Sequence, residues 1–234
     1  MVANEQWVHA ELASRHGAKL LRHLTYYPVT GAYVQQGERR SINFGSNDYL
    51  GLAHHPGVIE GAKQYLERYG SGAGASRLIT GSLTCHQELE SRLASQKGYP
   101  AALLFGSGYL TNVGVLPALT GGGDRVFADR LSHASIIDGV RLSGAQLHRF
   151  RHNDPDHLEA LLKRHSDGKR RLVVTESVFS MDGDLAPLAD IAQMAVAHGA
   201  MLMVDEAHAG GVFGTRGSGR VHENGLENDV NVCM

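Results

Sequence analysis

The run "LMVDEAHAGGVFG" (202–214) sets two carboxylates and an imidazole, Asp205-Glu206-Ala207-His208, directly behind an apolar stretch. Those four letters match the box with which one class of helicases holds magnesium beside a nucleotide. That chemistry also requires an upstream phosphate loop G-x-x-x-x-G-K-[ST], whose Lys and Ser/Thr meet the phosphates and the metal. The one Gly-Lys pair in the chain is Gly168-Lys169, followed by Arg170. Nucleotide hydrolysis is excluded, and the acidic strand end must serve something else.

Other chemistries lose on spacing. Gly106-x-Gly108 follows an apolar run, but the third glycine and the acidic residue of a dinucleotide fingerprint are missing. His148 and His152 stand four apart across a strand end, not on a helix, so they share no face and make no metal pair. Cys85 and Cys233 are the two cysteines, too few for a disulfide framework or a thiolate zinc site. What remains is a turn, Gly106-Ser107-Gly108-Tyr109, whose amides at a helix start suit a phosphate group. His133, Ser180, Asp205 and His208 stand at other strand ends. A carboxylate and two histidines around a phosphate pocket suit pyridoxal phosphate, whose ring nitrogen needs a carboxylate partner to make the ring an electron sink.

The elements that position these residues follow from periodicity. Apolar runs at 101–105, 125–129, 146–150, 171–177 and 201–207 predict strands, with "DVNVCM" (229–234) beginning another. Helical patterns occupy 109–119, 133–143, 155–165 and 187–199 between them. Continuously apolar strands separated by helices predict an α/β fold, a mainly parallel sheet covered on both faces. Ligands of such sheets sit at the carboxyl ends of the strands. That draws attention to Gly106–Tyr109, Asp129–His133, Glu176–Ser180 and Asp205–His208. Ahead of the sheet the sequence predicts a helix over 5–24, a hairpin turning near Gly37, and helices over 58–69 and 85–97. We divide the chain into an N-terminal helix and hairpin segment, 1–45, and a cofactor-binding domain, 46–234.

Bulk properties remove further classes. A formal net charge of -2 gives no electrostatic reason to expect a nucleic acid or an anionic membrane as partner. The basic residues Lys163, Arg164, Lys169, Arg170 and Arg171 read as a solvated helix end and loop. The N-terminus lacks an apolar signal region, and no run approaches the ~20 apolar residues of a membrane span. The expectation is a cytoplasmic protein.

Seven collinear stretches carry a resemblance: "INFGSNDYLGLAHHP", "GAGASRLITGSLTCHQELE", "ALLFGSGYLTNVGVL", "DRLSHASIIDGVRLS", "RFRHNDPDHLE", "VVTESVFSMDGDLAPL" and "LMVDEAHAGGVFGTRGSGR". With them the chain closely resembles the α-oxoamine synthases, fold-type-I pyridoxal-phosphate enzymes, and within them the biotin-pathway branch. The resemblance implies a decarboxylative condensation of L-alanine with pimeloyl-CoA, or a pimeloyl carrier protein, on pyridoxal 5'-phosphate in a homodimer. It implies that Asp205 partners the pyridine nitrogen, against the plainer role of a capping Asp. It also implies that His208 bonds the cofactor's phenolic oxygen and that His133 stacks on its ring, where a His after a strand is otherwise a helix-start residue. Ser180 is similar to a further ligand of that oxygen, against a simple turn hydroxyl. Gly108 and Tyr109 match the phosphate turn, although the Tyr109 ring could equally be a packing aromatic. Arg22 matches the residue that binds the acyl carboxylate, and Asn47 and His133 line the substrate side.

Two departures accompany the resemblance. Ala209-Gly210-Gly211 follows His208 where relatives carry a small or hydroxyl residue and then Thr-Gly. The family's cofactor lysine, and the threonine before it, would fall beyond Met234. Lys19, Lys63, Lys97, Lys163 and Lys169 occupy non-matching positions. The expectation is therefore an amino-terminal part without the C-terminal small domain, inactive alone. The alternatives are a synthase using a glycine or serine donor and a non-catalytic partner subunit of a complete synthase.

Overall fold

Alternate residues of each sheet strand enter two different apolar layers, and that alternation organises the larger part of the molecule. The computed structural model describes residues 5–234, so the first residues of the stretch read for a signal lie outside it. The chain forms two compact units, Met1–Lys63 and Gln64–Met234. The division at 45/46 drawn from the sequence falls inside the first of these units.

The first unit holds helix α1 (Gln6–Gly17) and an antiparallel sheet of β1 (Val29–Thr30), β2 (Tyr33–Gln36) and β3 (Arg39–Ile42). The expected hairpin is β2–β3, with Gln36 opposite Arg39 and Gly37 at φ +60 in the turn, a conformation glycine adopts without penalty. α1 stops short of the expected residue 24. Lys19 adopts φ +58, and Leu20 donates back to the Arg15 carbonyl at 2.8 Å, closing the helix end. Helix α2 (Pro56–Tyr69) runs across the junction of the units.

The second unit continues with α3 (Thr84–Lys97), α4 (Gly108–Leu119), β4 (Arg125–Asp129), α5 (Ala134–Ser143), β5 (Gln146–Phe150), α6 (Pro155–Arg164), β6 (Arg171–Glu176), α7 (Leu188–Ala197), β7 (Met201–Asp205), α8 (Arg220–Glu223) and β8 (Val232–Cys233). The sheet order is β5-β4-β6-β7-β8, all parallel. Phe127, Val173, Leu202 and Val204 pack with Leu158 and Leu162 of α6 and Leu188, Ile191 and Ala195 of α7. Their neighbours Val126, Ala128, Leu172, Val174 and Met203 pack on the other side with Leu116 of α4 and Ile136 and Val140 of α5. Burying each such side chain contributes on the order of 2 kcal/mol. The covered parallel sheet expected from the sequence is present. Its strand order reverses between β4 and β6, with α5 on one face and α6 and α7 on the other, so the crevice for a ligand falls where these two strands end.

The apolar run "AALLF" (101–105), a strand of the fold by its pattern, has no sheet neighbour among the described residues, and Leu103 is exposed. A side-chain fork holds its backbone. Glu90 of α3 accepts the Leu104 N–H at 2.9 Å, and Arg77, paired with Glu90 at 2.8 Å, donates to the Leu104 carbonyl at 3.3 Å. Apolar periodicity cannot distinguish an extended segment held by side chains from one held by a neighbouring strand.

α4 and α5 approach closely at Gly139. A Cβ there would stand 2.7 Å from the Asn112 carbonyl oxygen and 2.8 Å from Leu116 Cδ1. Gly139→Ala should therefore lower stability by about 1–3 kcal/mol through overpacking, although alanine favours helix. Urea unfolding checks this; an unchanged midpoint would mean that the two helices separate without cost.

Candidate active site

Asp205 ends β7 and Glu176 ends β6, paired side by side in the sheet register, and both are buried. Asp205 Oδ2 accepts from Asn112 Nδ2 at 2.9 Å, and its Oδ1 accepts the Ala207 N–H at 3.0 Å. The second hydrogen of Asn112 Nδ2 goes to Ser135 Oγ, also at 2.9 Å. Ser135 Oγ in turn lies 2.7 Å from His133 Nδ1, which also accepts the Ser135 N–H at 3.3 Å. With Oγ accepting from Asn112, its hydrogen is free for Nδ1, so a neutral His133 ring carries its proton on Nε2. One relay, Asn112–Ser135–His133, thus ties the helix start after β4 to the carboxylate after β7.

A second tie runs through Glu176. Its Oε1 accepts the His133 N–H at 2.6 Å, and the Ser180 N–H also donates to this carboxyl. His133, Ser180 and Asp205 are therefore brought together around one strand edge, with the His133 and Ser180 side chains exposed. His208 sits half-buried on the turn after Asp205, where Ala209 and Gly210 donate to the Glu206 carbonyl.

Gly108 and Tyr109 start α4, one turn before Asn112. Ser107 caps this helix: its Oγ accepts the Leu110 N–H at 3.2 Å, and its carbonyl accepts the Thr111 N–H at 2.9 Å. The Gly108 and Tyr109 amides, as the first of the helix, have no intrahelical acceptor. The Tyr109 hydroxyl donates to Asp138 of α5 at 2.8 Å, so its ring is anchored and its amide is the group left for an anion. Arg22 and Asn47 belong to the first unit, where both are exposed and Asn47 Oδ1 lies 3.5 Å from the Tyr49 hydroxyl.

Asn112 and Ser135 are missing from the residues singled out by sequence, and Glu176 was given no role. Glu176 was visible among the strand-end polar groups. Asn112 could have been flagged as the amide within the otherwise apolar "VGVL" helix, although no spacing rule connects it to Asp205. Glu206, by contrast, is structural. Buried on the other side of β7, it accepts from Lys97 Nζ at 2.7 Å, the Val221 N–H at 2.8 Å and Cys233 Sγ at 3.2 Å. Lys97 is thereby occupied, in line with its non-matching position. His148 stacks on Phe127 and His165, and among the described residues no cluster of three or more His, Cys, Asp or Glu could hold a metal ion.

The residues fit pyridoxal phosphate on two observations. A buried carboxylate accepts from the neutral Asn112 amide and Ala207 N–H, with no Lys or Arg against it among the described residues, and so suits a cationic ring nitrogen. One helix turn away, a capped helix start offers free amides to a phosphate.

The model of the aminotransferase class I and II family matches residues 39–234, and the chain belongs to that family. Among curated relatives it is 50% identical over 97% of its length to the 8-amino-7-oxononanoate synthase of Anaeromyxobacter sp. (strain K), covering 57% of that protein. It is likewise 50% identical over 90% of its length to the synthase of that name from Methylobacterium nodulans, covering 56% of it. The chain thus spans little more than half the length of these relatives. Among solved structures, the serine palmitoyltransferase of Sphingomonas wittichii superposes with TM-score 0.87 at 35% identity, over 100% of this chain and 59% of that one. The Francisella tularensis 8-amino-7-oxononanoate synthase gives 0.63 at 32% identity, over 81% and 50%.

Burial of Glu176, followed by the neighbouring Asp205 charge, outweighs its two N–H donors and pushes its pKa from 4.5 up to about 7. A carboxyl whose folded pKa is raised contributes stability in full below its unfolded pKa and loses that contribution as pH rises through the folded one. Wild type should therefore lose on the order of 3 kcal/mol relative to Glu176→Gln between about pH 4 and about pH 8. Paired urea titrations at the two pH values measure this; a constant difference would show that the fold does not retain the Glu176 proton.

Proposed function

We propose that the chain carries the cofactor-binding part of an 8-amino-7-oxononanoate synthase. Such an enzyme is a pyridoxal-phosphate-dependent acyltransferase of biotin biosynthesis that joins L-alanine to a pimeloyl thioester, either pimeloyl-CoA or a pimeloyl carrier protein. A carbon–carbon bond forms at the amino-acid α-carbon, the alanine carboxyl leaves as carbon dioxide, and the thiol departs. The observation that carries this reading is the Asp205 carboxylate, buried at the strand edge and bonded to Asn112, which lies one helix turn after the Gly108 and Tyr109 amides. The names of the relatives, at 50% identity, support the choice of substrates.

Pyridoxal phosphate, when bound, would supply an electron sink for charge developing at the amino-acid α-carbon. Asp205 would hold the ring-nitrogen proton, and Asn112 keeps that carboxylate aimed. The Gly108 and Tyr109 amides would hold the phosphate. His133 would cover the ring face, its orientation set by Ser135 and by Glu176. His208 and Ser180 would hydrogen-bond the phenolic oxygen. Arg22 would bind the acyl carboxylate, and Asn47 would line the substrate side. The exposed Ile42, Phe44 and Leu50 support a homodimer as the working form. No helix among the described residues is long and apolar enough to cross a membrane, and a cytoplasmic location is part of the proposal by analogy with the biosynthetic enzymes named above.

The close superposition on serine palmitoyltransferase favours one second reading, an α-oxoamine synthase with another amino-acid donor. A polypeptide of the relatives' length carrying this chain discriminates the two. CoA release with alanine, glycine and serine should favour alanine; preference for serine or glycine would move the assignment to another branch with the cofactor unchanged. In the same polypeptide, Asp205→Asn should slow α-proton exchange of alanine by about a hundredfold or more, the scale of removing one preorganised electrostatic group. Near-normal exchange would make Asp205 a capping residue.

A further inference from the structure

His152 and Asn153 lie on the turn after β5, away from every residue assigned above, yet they bind to both loops that carry His133 and Ser180. His152 Nδ1 meets Asp129 Oδ1 at 2.9 Å, and its Nε2 meets Asp184 Oδ2 at 2.6 Å. Asn153 repeats the bridge: its N–H donates to Asp129 Oδ2 at 2.9 Å, and its Nδ2 donates to Asp184 Oδ2 at 2.7 Å and to the Leu185 carbonyl at 3.3 Å. Asn153 holds φ +51 to do so, a conformation asparagine tolerates better than most residues.

Each end of the bridge controls a loop. Asp129 is fully buried and also accepts the Leu131 N–H at 2.8 Å, which fixes the turn leading to His133. Asp184 belongs to a tight hairpin over 177–186. There Val178 bridges Leu185, Phe179 donates to the Asp184 carbonyl at 3.0 Å, and Gly183 donates to the Phe179 carbonyl at 2.9 Å. Ser180 sits at the head of that hairpin, and the Phe179 ring stands edge-on to the His152 ring at 4.5 Å.

We propose that His152 is a positioning residue which, with Asn153, clamps the Ser180 hairpin to the His133 turn through Asp184 and Asp129. The clamp acts from outside the site, as Glu176 acts from within. Its consequence for cofactor binding rests on the reading that Ser180 and His133 flank pyridoxal phosphate. The groups facing His152 are Asp129 from β4 and Asp184 from the hairpin, with the Asn153 amide at 3.3 Å. Arg151 and Asp154, paired with each other, and His157 share its turn and the start of α6. Burial opposes protonation of His152, but the hydrogen bonds to Asp129 and Asp184 and their charges outweigh it and raise its pKa above the usual 6.5. A raised histidine pKa means that the clamp is complete below about pH 6.5 and is lost as pH rises through the raised value.

The test is amide exchange of the 177–186 hairpin in the full chain, corrected for intrinsic rates, across that pH range, with β6 and β7 amides as the reference for folding. Wild type should lose hairpin protection as pH rises, while β6 and β7 remain protected. His152→Gln should expose the hairpin roughly tenfold more at the acidic end, the scale of one charge-assisted hydrogen bond, with a flat pH profile. Asp184→Asn, altered at the half-exposed end of the clamp, should loosen the hairpin and leave the Leu131 amide protected; it serves if the histidine variant does not fold. Unchanged hairpin protection in either folded variant, or the same pH profile in His152→Gln as in wild type, overturns the proposal. Titration with pyridoxal phosphate separates the two readings. A loosened hairpin with unaltered cofactor affinity sinks the role given to Ser180 but upholds the clamp. A Ser180→Ala variant that binds more weakly, beside an unperturbed hairpin in His152→Gln, does the reverse.

Discussion

Three buried acids end three adjacent parallel strands: Asp129 on β4, Glu176 on β6 and Asp205 on β7. Burying like charges side by side is costly, and among the described residues no Lys or Arg pairs with any of them. Each acid is accommodated differently. Asp129 takes a histidine and two backbone N–H groups. Glu176 holds its proton to about 7, the response expected of a carboxyl facing both desolvation and a neighbouring charge. Asp205 receives an amide and a backbone N–H, with no Lys or Arg paired to it among the described residues, and so suits a cationic partner. Much of the site follows from these solutions, because the donors that satisfy the acids are themselves carried by the His133 turn, the Ser180 hairpin and α4.

The adjacent acid, Glu206, shows how strand alternation separates roles in a short motif. Successive side chains of an extended chain point to opposite faces. Asp205 turns toward α4, while Glu206 turns toward α3 and α8, where it binds Lys97 and the Val221 amide. Packing around it is tight: a Cβ on Gly219 would stand 2.1 Å from Glu206 Oε2. One carboxylate faces the site, and its neighbour secures the elements behind it. The helicase-like spelling is thus a by-product of two unrelated requirements meeting at one strand end.

The sheet and its helices were legible in the sequence because the inner strands are apolar on both faces and several helix boundaries are marked chemically. α6 is an example, with Asp154 capping it, Pro155 opening it, and Lys163 and Arg164 in its last turn. The strand-end acids and histidines were legible for the same reason, since topology alone directs attention to those positions. The links between them were not. Asn112 reaches Asp205 across 93 positions, and Glu176 reaches His133 across 43, so neither contact leaves a local pattern. The side-chain ties of the 101–105 segment were not legible either, because apolar periodicity says nothing of what satisfies a backbone.

Helix α4 bears on how the site is held. The residues that lead into the phosphate turn run along a segment tied by Arg77 and Glu90 to the Leu104 peptide groups. The spacing between the Gly108 and Tyr109 amides and the Asp205 carboxylate runs through α4 itself. Gly108 and Asn112 lie four residues apart, about 6 Å along a helix axis at ~1.5 Å per residue, and Asn112 is fixed to Asp205 on β7 and to Ser135 on α5. The absence of a side chain at Gly139 lets α4 lie close enough to α5 for Asn112 to make both bonds. A rigid helix anchored at one buried amide thus does the work of measuring, and presents a phosphate-binding start and a ring-nitrogen partner at a spacing that one ligand must match.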